Sequence, residues 1–223
     1  MTLSIKYQRS HGMNSKLLQL LINWPNYFIS GTELSAMLSG SDDARKAIIK
    51  RAVHDGYLQR LKRDFYLIRN IANKPMINTF ELAQFIYGPS YISFESALSY
   101  HGWIPEKVTV TCSATIKQTK SFSMPIGEFS FEKIPNASFK LGASYVKEEK
   151  SKYLIADPWK AIADMIYCRK KNWATLNDLM LDLRIEEDSI KSSNFDLLAE
   201  LSNEYSHKLT KKTLKVYFKE LNK

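Results

Sequence analysis

Three short runs of apolar residues at helical spacing, closed by Pro25, Gly40 and Gly56, precede two strand-like runs, and this punctuation leaves few folds open. The first run, Leu17, Leu18, Leu20, Leu21 and Ile22, follows Asn14 or Ser15 as a cap and stops at Pro25. The second, "SGTELSAMLSG", takes Thr32 as its cap, turns Leu34, Met37 and Leu38 inward and breaks at Gly40. The third runs from about Asp43 to His54, with Asp42 and Asp43 at its positive end and Gly56 closing it. "YLQRL" and "FYLI" then read as a hairpin, with Lys62, Arg63 and Asp64 between the strands. Three helices followed by a two-stranded hairpin is the winged helix-turn-helix pattern, with the third helix as recognition helix and the hairpin tip as wing.

The charge follows that pattern. From Met1 to Asn70 there are 11 Lys and Arg against 5 Asp and Glu, a net +6, whereas the remainder has 21 against 18, a net +3. Two thirds of the excess lies in the first third of the chain, which points to a basic N-terminal module aimed at a polyanion, with nucleic acid first. At about 100° per residue, Ala44, Ile48, Ile49 and Ala52 share one face of the third helix, and Asp43, Lys46, Lys50 and His54 the opposite one. Arg51 lies beside the cationic face and Arg45 nearer the apolar edge. The DNA-facing candidates are therefore Arg45, Lys46, Lys50 and Arg51 on this helix and Arg60, Lys62 and Arg63 on the hairpin, with Thr32 and Ser41 at the helix starts. A solvated helix unrelated to DNA is the plainer alternative, but it leaves the basic hairpin tip unexplained. Met1 to Gly12 reads as a flexible arm whose Lys6, Arg9 and His11 reach a minor groove.

The rest of the chain is mixed. Ile71 to Met76, with Pro75, reads as a linker. Asn78 to Tyr87 suggests a helix, and Ser93 caps another that stops at Gly102. "KVTVTCSA" alternates as a strand, and "TKSFSMPIGEFSFEKI" gives two strands around a Pro125–Gly127 turn, with Phe129 and Phe131 on one face. "KYLIA" adds a strand, Asp157 and Pro158 open a helix, and Thr175 with Asp178 makes a capping-box-like start to the next. Two helices, Asn194 to Ser206 and Thr210 to Leu221, finish the chain. The last carries Leu214, Tyr217, Phe218 and Leu221 on one face and Lys211, Lys215 and Lys219 on another, either a solvated face or a second nucleic-acid contact. No apolar run approaches the roughly 20 residues that span a bilayer, and the N-terminus lacks a signal peptide's apolar core. Cys112 and Cys168, far apart and without CxxC spacing, read as two buried thiols in a reducing cytoplasmic interior.

"YISFESALSYHGWIPE" carries a resemblance. It is similar to a Tyr-x-Ser-x-x-Ser-Ala-Leu-x-x-His-Gly segment of the AbiEi family, matched by Tyr91, Ser93, Ser96, Ala97, Leu98, His101 and Gly102. "ADPWKAIADMIY", containing Asp157 and Asp164, resembles the family's downstream helix, with Trp159 where an acidic residue is commoner. The resemblance covers nearly the whole chain. It implies a winged-helix domain that represses its own operon at inverted repeats. It also implies a C-terminal domain that counters a neighbouring nucleotidyltransferase-like toxin, as a type IV antitoxin acting without a stable complex.

Enzyme chemistry competes poorly. His101 sits beside Ser96, Ser99 and Tyr100, but no Gly-x-Ser-x-Gly elbow is present, and His101 reads as a helix end whose ring serves the terminal carbonyls. Glu148 and Lys150 give a nuclease-like fragment, with Asp157 or Asp164 as a further carboxylate, yet "KEEKSK" reads as a solvated loop. The histidines and cysteines lack metal-ligand spacing, and no cofactor is expected.

The expectation is an α+β protein: a winged helix-turn-helix domain over 1–72, then a larger mixed α/β antitoxin domain over 73–223. It binds double-stranded operator DNA with inverted repeats as a cooperative dimer, opposes the toxin and has no membrane role or catalysis. The alternative is a winged-helix transcription factor whose second domain senses a ligand, with no toxin partner.

Overall fold

A computed structural model describes residues 15–71, 76–148 and 151–222. Among them are ten α-helices and two β-sheets, a mixed α+β architecture. The chain divides into two compact units, Met1–Ile77 and Asn78–Lys223. The expected arm, Asn14, Pro75, Glu149 and Lys150 lie outside the described residues.

In the first unit, α1 (Ser15–Asn23), α2 (Gly31–Met37) and α3 (Asp42–His54) surround a core that includes Leu17, Leu21, Leu34, Ile49 and Ala52. The hairpin strands β2 (Leu58–Lys62) and β3 (Phe65–Ile68) close it. A strand that periodicity did not reveal, β1 (Phe28–Ser30), joins them, giving an antiparallel sheet in the order β1-β3-β2. Three residues are too few to show an alternation. Trp24 pins the approach to β1, its indole N–H donating to the Phe28 carbonyl at 2.8 Å.

Two details of this unit correct the sequence reading. The cap of α2 is Ser30, not Thr32: Ser30 and Glu33 form a reciprocal capping box, which satisfies two orphan donors at the helix start. The buried stripe of α3 is shifted too. Ile49 and Ala52 are buried and Arg45, Ile48 and Val53 half-buried, while Ala44 faces solvent beside the N-cap Ser41.

In the second unit, β4 (Ser90–Ile92), β5 (Val110–Thr115), β6 (Lys120–Met124), β7 (Gly127–Lys133), β8 (Ala143–Glu148) and β9 (Ser151–Ala156) form one sheet, ordered β6-β7-β5-β4-β9-β8. Pairs β4–β9 and β5–β7 are parallel and the others antiparallel. Strand β4 is another three-residue element, and β8 occupies "ASYVKE", read above partly as solvated loop; it is an edge strand with polar residues on both faces.

Seven helices complete the unit: α4 (Thr79–Tyr87), α5 (Phe94–Tyr100), α6 (Pro158–Arg169), α7 (Leu176–Leu183), the unforeseen short α8 (Glu187–Lys191), α9 (Phe195–Glu204) and α10 (Lys208–Leu221). Helix α6 is central. Every residue from Pro158 to Ile166 is buried, and it packs on α5, α9 and α10. Its start is as expected, with Asp157 accepting from the Trp159 N–H at 2.9 Å and Pro158 in the first turn. Thr175 and Asp178 form the capping box of α7. Both cysteines are free thiols, but only Cys112 is buried; Cys168 is partly exposed. No helix of the described residues is long and apolar enough to cross a membrane.

Candidate functional site

Two constellations stand out, one in each unit. On α3, Lys46, Lys50, Arg51 and His54 are exposed. Lys46 lies 3.9 Å from Asp43, and Lys50 and Arg51 make no ion pair among the described residues. Arg45 turns back instead, pairing with Asp42, whose carboxyl it holds below the usual carboxylate range. Ser41 spends its hydroxyl oxygen on the Ala44 N–H.

The hairpin tip is smaller than expected. Lys62 belongs to β2 rather than to the turn, and its ammonium lies 5.5 Å from the Phe65 ring centroid. Arg60 donates to the Lys62 carbonyl at 3.3 Å. Only Arg63 and Asp64 turn the chain, and β1 pairs up to that turn, Ser30 opposite Phe65. The turn is stitched to the start of α2: the Gly31 N–H donates to the Asp64 carbonyl at 3.2 Å and the Thr32 hydroxyl to its carboxylate at 2.9 Å. A Cβ on Gly31 would collide with that carboxylate, so any other residue there must push the Asp64 side chain aside. Thr32 thus serves the turn.

The second constellation is buried. Asp164 on α6 is fully enclosed and accepts four hydrogen bonds. Oδ2 takes the Tyr91 hydroxyl at 2.7 Å and the Ser93 hydroxyl at 2.8 Å; Oδ1 takes the Lys160 ammonium at 2.6 Å and the Tyr205 hydroxyl at 3.0 Å. Lys160, also enclosed, sits 4.7 Å from the Tyr205 ring centroid and 5.5 Å from that of Tyr91. Burial pushes its pKa down, and the adjacent carboxylate opposes that shift. Burial and the same carboxylate raise both tyrosines, which keeps them neutral donors. Gly142, at a φ of +69°, comes so close to Lys160 that a Cβ would lie 2.9 Å from the lysine Cβ.

Ser93 is the N-cap residue of α5 by position but makes no side-chain cap; its hydroxyl turns to Asp164. Phe94 follows at a φ of +55°, unusual for a large side chain and of order 1–3 kcal/mol in strain. Its ring is covered by the Arg169 guanidinium, 5.1 Å away.

The structure brings Tyr91, Ser93 and Asp164 together and leaves the other motif residues elsewhere. Ser96 ties α5 to β5, donating to the Val110 carbonyl at 3.0 Å and accepting from the Cys112 N–H at 2.8 Å. His101 does follow α5, but its ring is hydrogen-bonded to the Ala156 carbonyl at 3.0 Å rather than to its own helix end. Asp157 caps α6; burial raises its pKa, which the Trp159 N–H and nearby His101 partly offset.

Sequence reasoning missed Lys160 and Tyr205. Lys160 and Asp164 stand four apart, the spacing that an ordinary surface pair also has, so the sequence offers no signal that they are enclosed. The lysines of α10 do lie on one face, where Lys208, Lys211, Lys212, Lys215 and Lys219 line a shallow groove. No group of three His, Cys, Asp or Glu side chains among the described residues is placed to hold a metal ion. Compared with known proteins, the chain matches no family model and no curated protein.

Proposed function

We propose that the first unit is a winged helix-turn-helix domain and that the protein is a DNA-binding autorepressor. In this reading it also acts as the antitoxin of a type IV abortive-infection pair, opposing a nucleotidyltransferase-like toxin in the cytoplasm. The observation that carries it is the outward face of α3, where Lys46, Lys50 and Arg51 stand exposed beside a hairpin in a unit ordered α1-β1-α2-α3-β2-β3. Phosphates are bound by such charges, and each contact releases counterions, so affinity falls with salt at a slope of about −0.9 per contact.

A duplex of the protein's own upstream region, titrated across salt by fluorescence anisotropy, tests the reading. The triple variant K46Q/K50Q/R51Q flattens the slope by about 2–3 contacts. A slope unchanged by that variant removes α3 from the interface. The antitoxin half of the proposal rests on the resemblance around Tyr91 to Gly102. Growth rescue on co-expression with the neighbouring gene decides it.

A cavity of about 530 Å³ in the second unit favours a second reading, a transcription factor with a ligand-sensing domain and no toxin. The same rescue assay separates the two.

A further inference from the structure

We propose that the cavity walled by α5, β5, α6 and α7 is a binding site for a small organic cation with an apolar body. Its volume, about 530 Å³, falls within the ~300–1,000 Å³ of small-molecule sites. Val110 and Cys112 of β5 and Ser130 of β7 form the floor, and the parallel register sets Cys112 beside Ser130. Ile104, Val108 and Leu183 supply apolar walls. Burial raises the pKa of the Cys112 thiol, so the floor carries no thiolate.

The charge beside Arg169 selects the ligand. Arg169 divides its guanidinium between Glu95, which lines the cavity, and Glu132 of β7, which lies outside the lining at 3.0 Å, so Glu95 has only part of one cation. The carboxylates at the rim each have a cation of their own, Glu106 with Arg184 and Asp182 with Lys171 at 2.7 Å. Lys107 stands exposed at the mouth, where water screens it. One oxygen of Glu95, Oε2, is buried and accepts no hydrogen bond among the described residues. Such an oxygen is costly to leave unmatched. Glu95 lines the cavity and the terminal torsion of a glutamate is broad, so its carboxylate can turn to meet a donor bound there. An amidinium or guanidinium offers the matching fork of N–H groups, and the apolar walls take the rest of the molecule. The site does not depend on the DNA-binding reading.

Three probes of one shape separate charge from shape: benzamidine, benzamide and benzoate, titrated into the full-length protein and followed through backbone amide NMR signals. Benzamidine should shift the Cys112, Ser130 and Leu183 signals saturably, with a dissociation constant of about 1 mM, as suits a fragment. The neutral and anionic probes should bind at least about tenfold more weakly, the loss expected when a charge-assisted pair is removed. Glu95→Gln should cost benzamidine about the same factor. Because that change also loosens Arg169, a second variant, Leu183→Trp, fills the cavity while keeping the ion pairs, and it should abolish the shifts. Benzoate or benzamide binding as well as benzamidine overturns the proposal. So do an absence of saturable shifts, shifts clustered elsewhere, or shifts that survive Leu183→Trp.

Discussion

Asp164 is held by four donors, and each depends on the same carboxylate, so its neighbours do not contribute independently. Asp164→Asn removes the charge opposite buried Lys160 and should destabilise the second unit by about 3–5 kcal/mol in urea unfolding. Ser93→Ala removes one donor and should cost only about 1–2 kcal/mol. Equal losses for both variants would mean that the carboxylate is not the centre of the group. Asp157 offers a pH test. Its folded pKa is raised by burial, and an acid of that kind contributes stability below its unfolded pKa and loses it as pH rises through the folded one. Asp157→Asn keeps a cap and escapes that loss. Its melting temperature should match the wild type near about pH 3 and exceed it by roughly a degree or two at neutral pH. The cap itself was legible, because Asp before Pro at a helix start has one common use. The buried lysine was not. An i,i+4 Lys–Asp pair is written the same way on a solvated face, and only the tertiary fold decides which face is covered.

Hairpin β2–β3 shows how an element departs from its pattern. Its strands were readable from alternation and its turn from "KRD", but the third strand beside it was not, and that strand fixes what the turn can do. Because β1 reaches the turn, Asp64 is drawn onto the start of α2, and Lys62 is left within its strand. The same limitation hid β4, three residues long, and β8, whose edge position exposes both faces and so erases the alternation. Asp64→Ala should loosen the stitch at a cost of about 1 kcal/mol, and Gly31→Ala, which forces the two apart, should cost more. Hydrogen exchange at the Phe65–Leu67 amides measures both. Unchanged protection in Gly31→Ala would show that the turn has room to move aside.

At the scale of the molecule, the division at Ile77 predicts separable behaviour. A fragment covering Met1–Ile77 retains the apolar cluster of Leu17, Leu34, Ile49 and Leu58 and should fold, though marginally for its size. It should bind DNA weakly and fail to rescue cells from the neighbouring toxin; full rescue would move the antitoxin role into the first unit. A single module of this size discriminates poorly among genomic sequences, so the proposed operator is an inverted repeat read by two protomers, with half-sites about one helical turn apart or a multiple of it. Footprinting should show both halves protected together, and scrambling one should weaken the other. The Asp164 group also sets an order of events during synthesis. The first unit has all of its core residues once Ile71 has left the ribosome, whereas the carboxylate on α6 lacks its last donor until Tyr205 follows. At ordinary elongation rates that interval is on the order of ten seconds. A nascent chain therefore offers a finished first unit well before its second unit can close, and any message cut short before Tyr205 yields the one without the other.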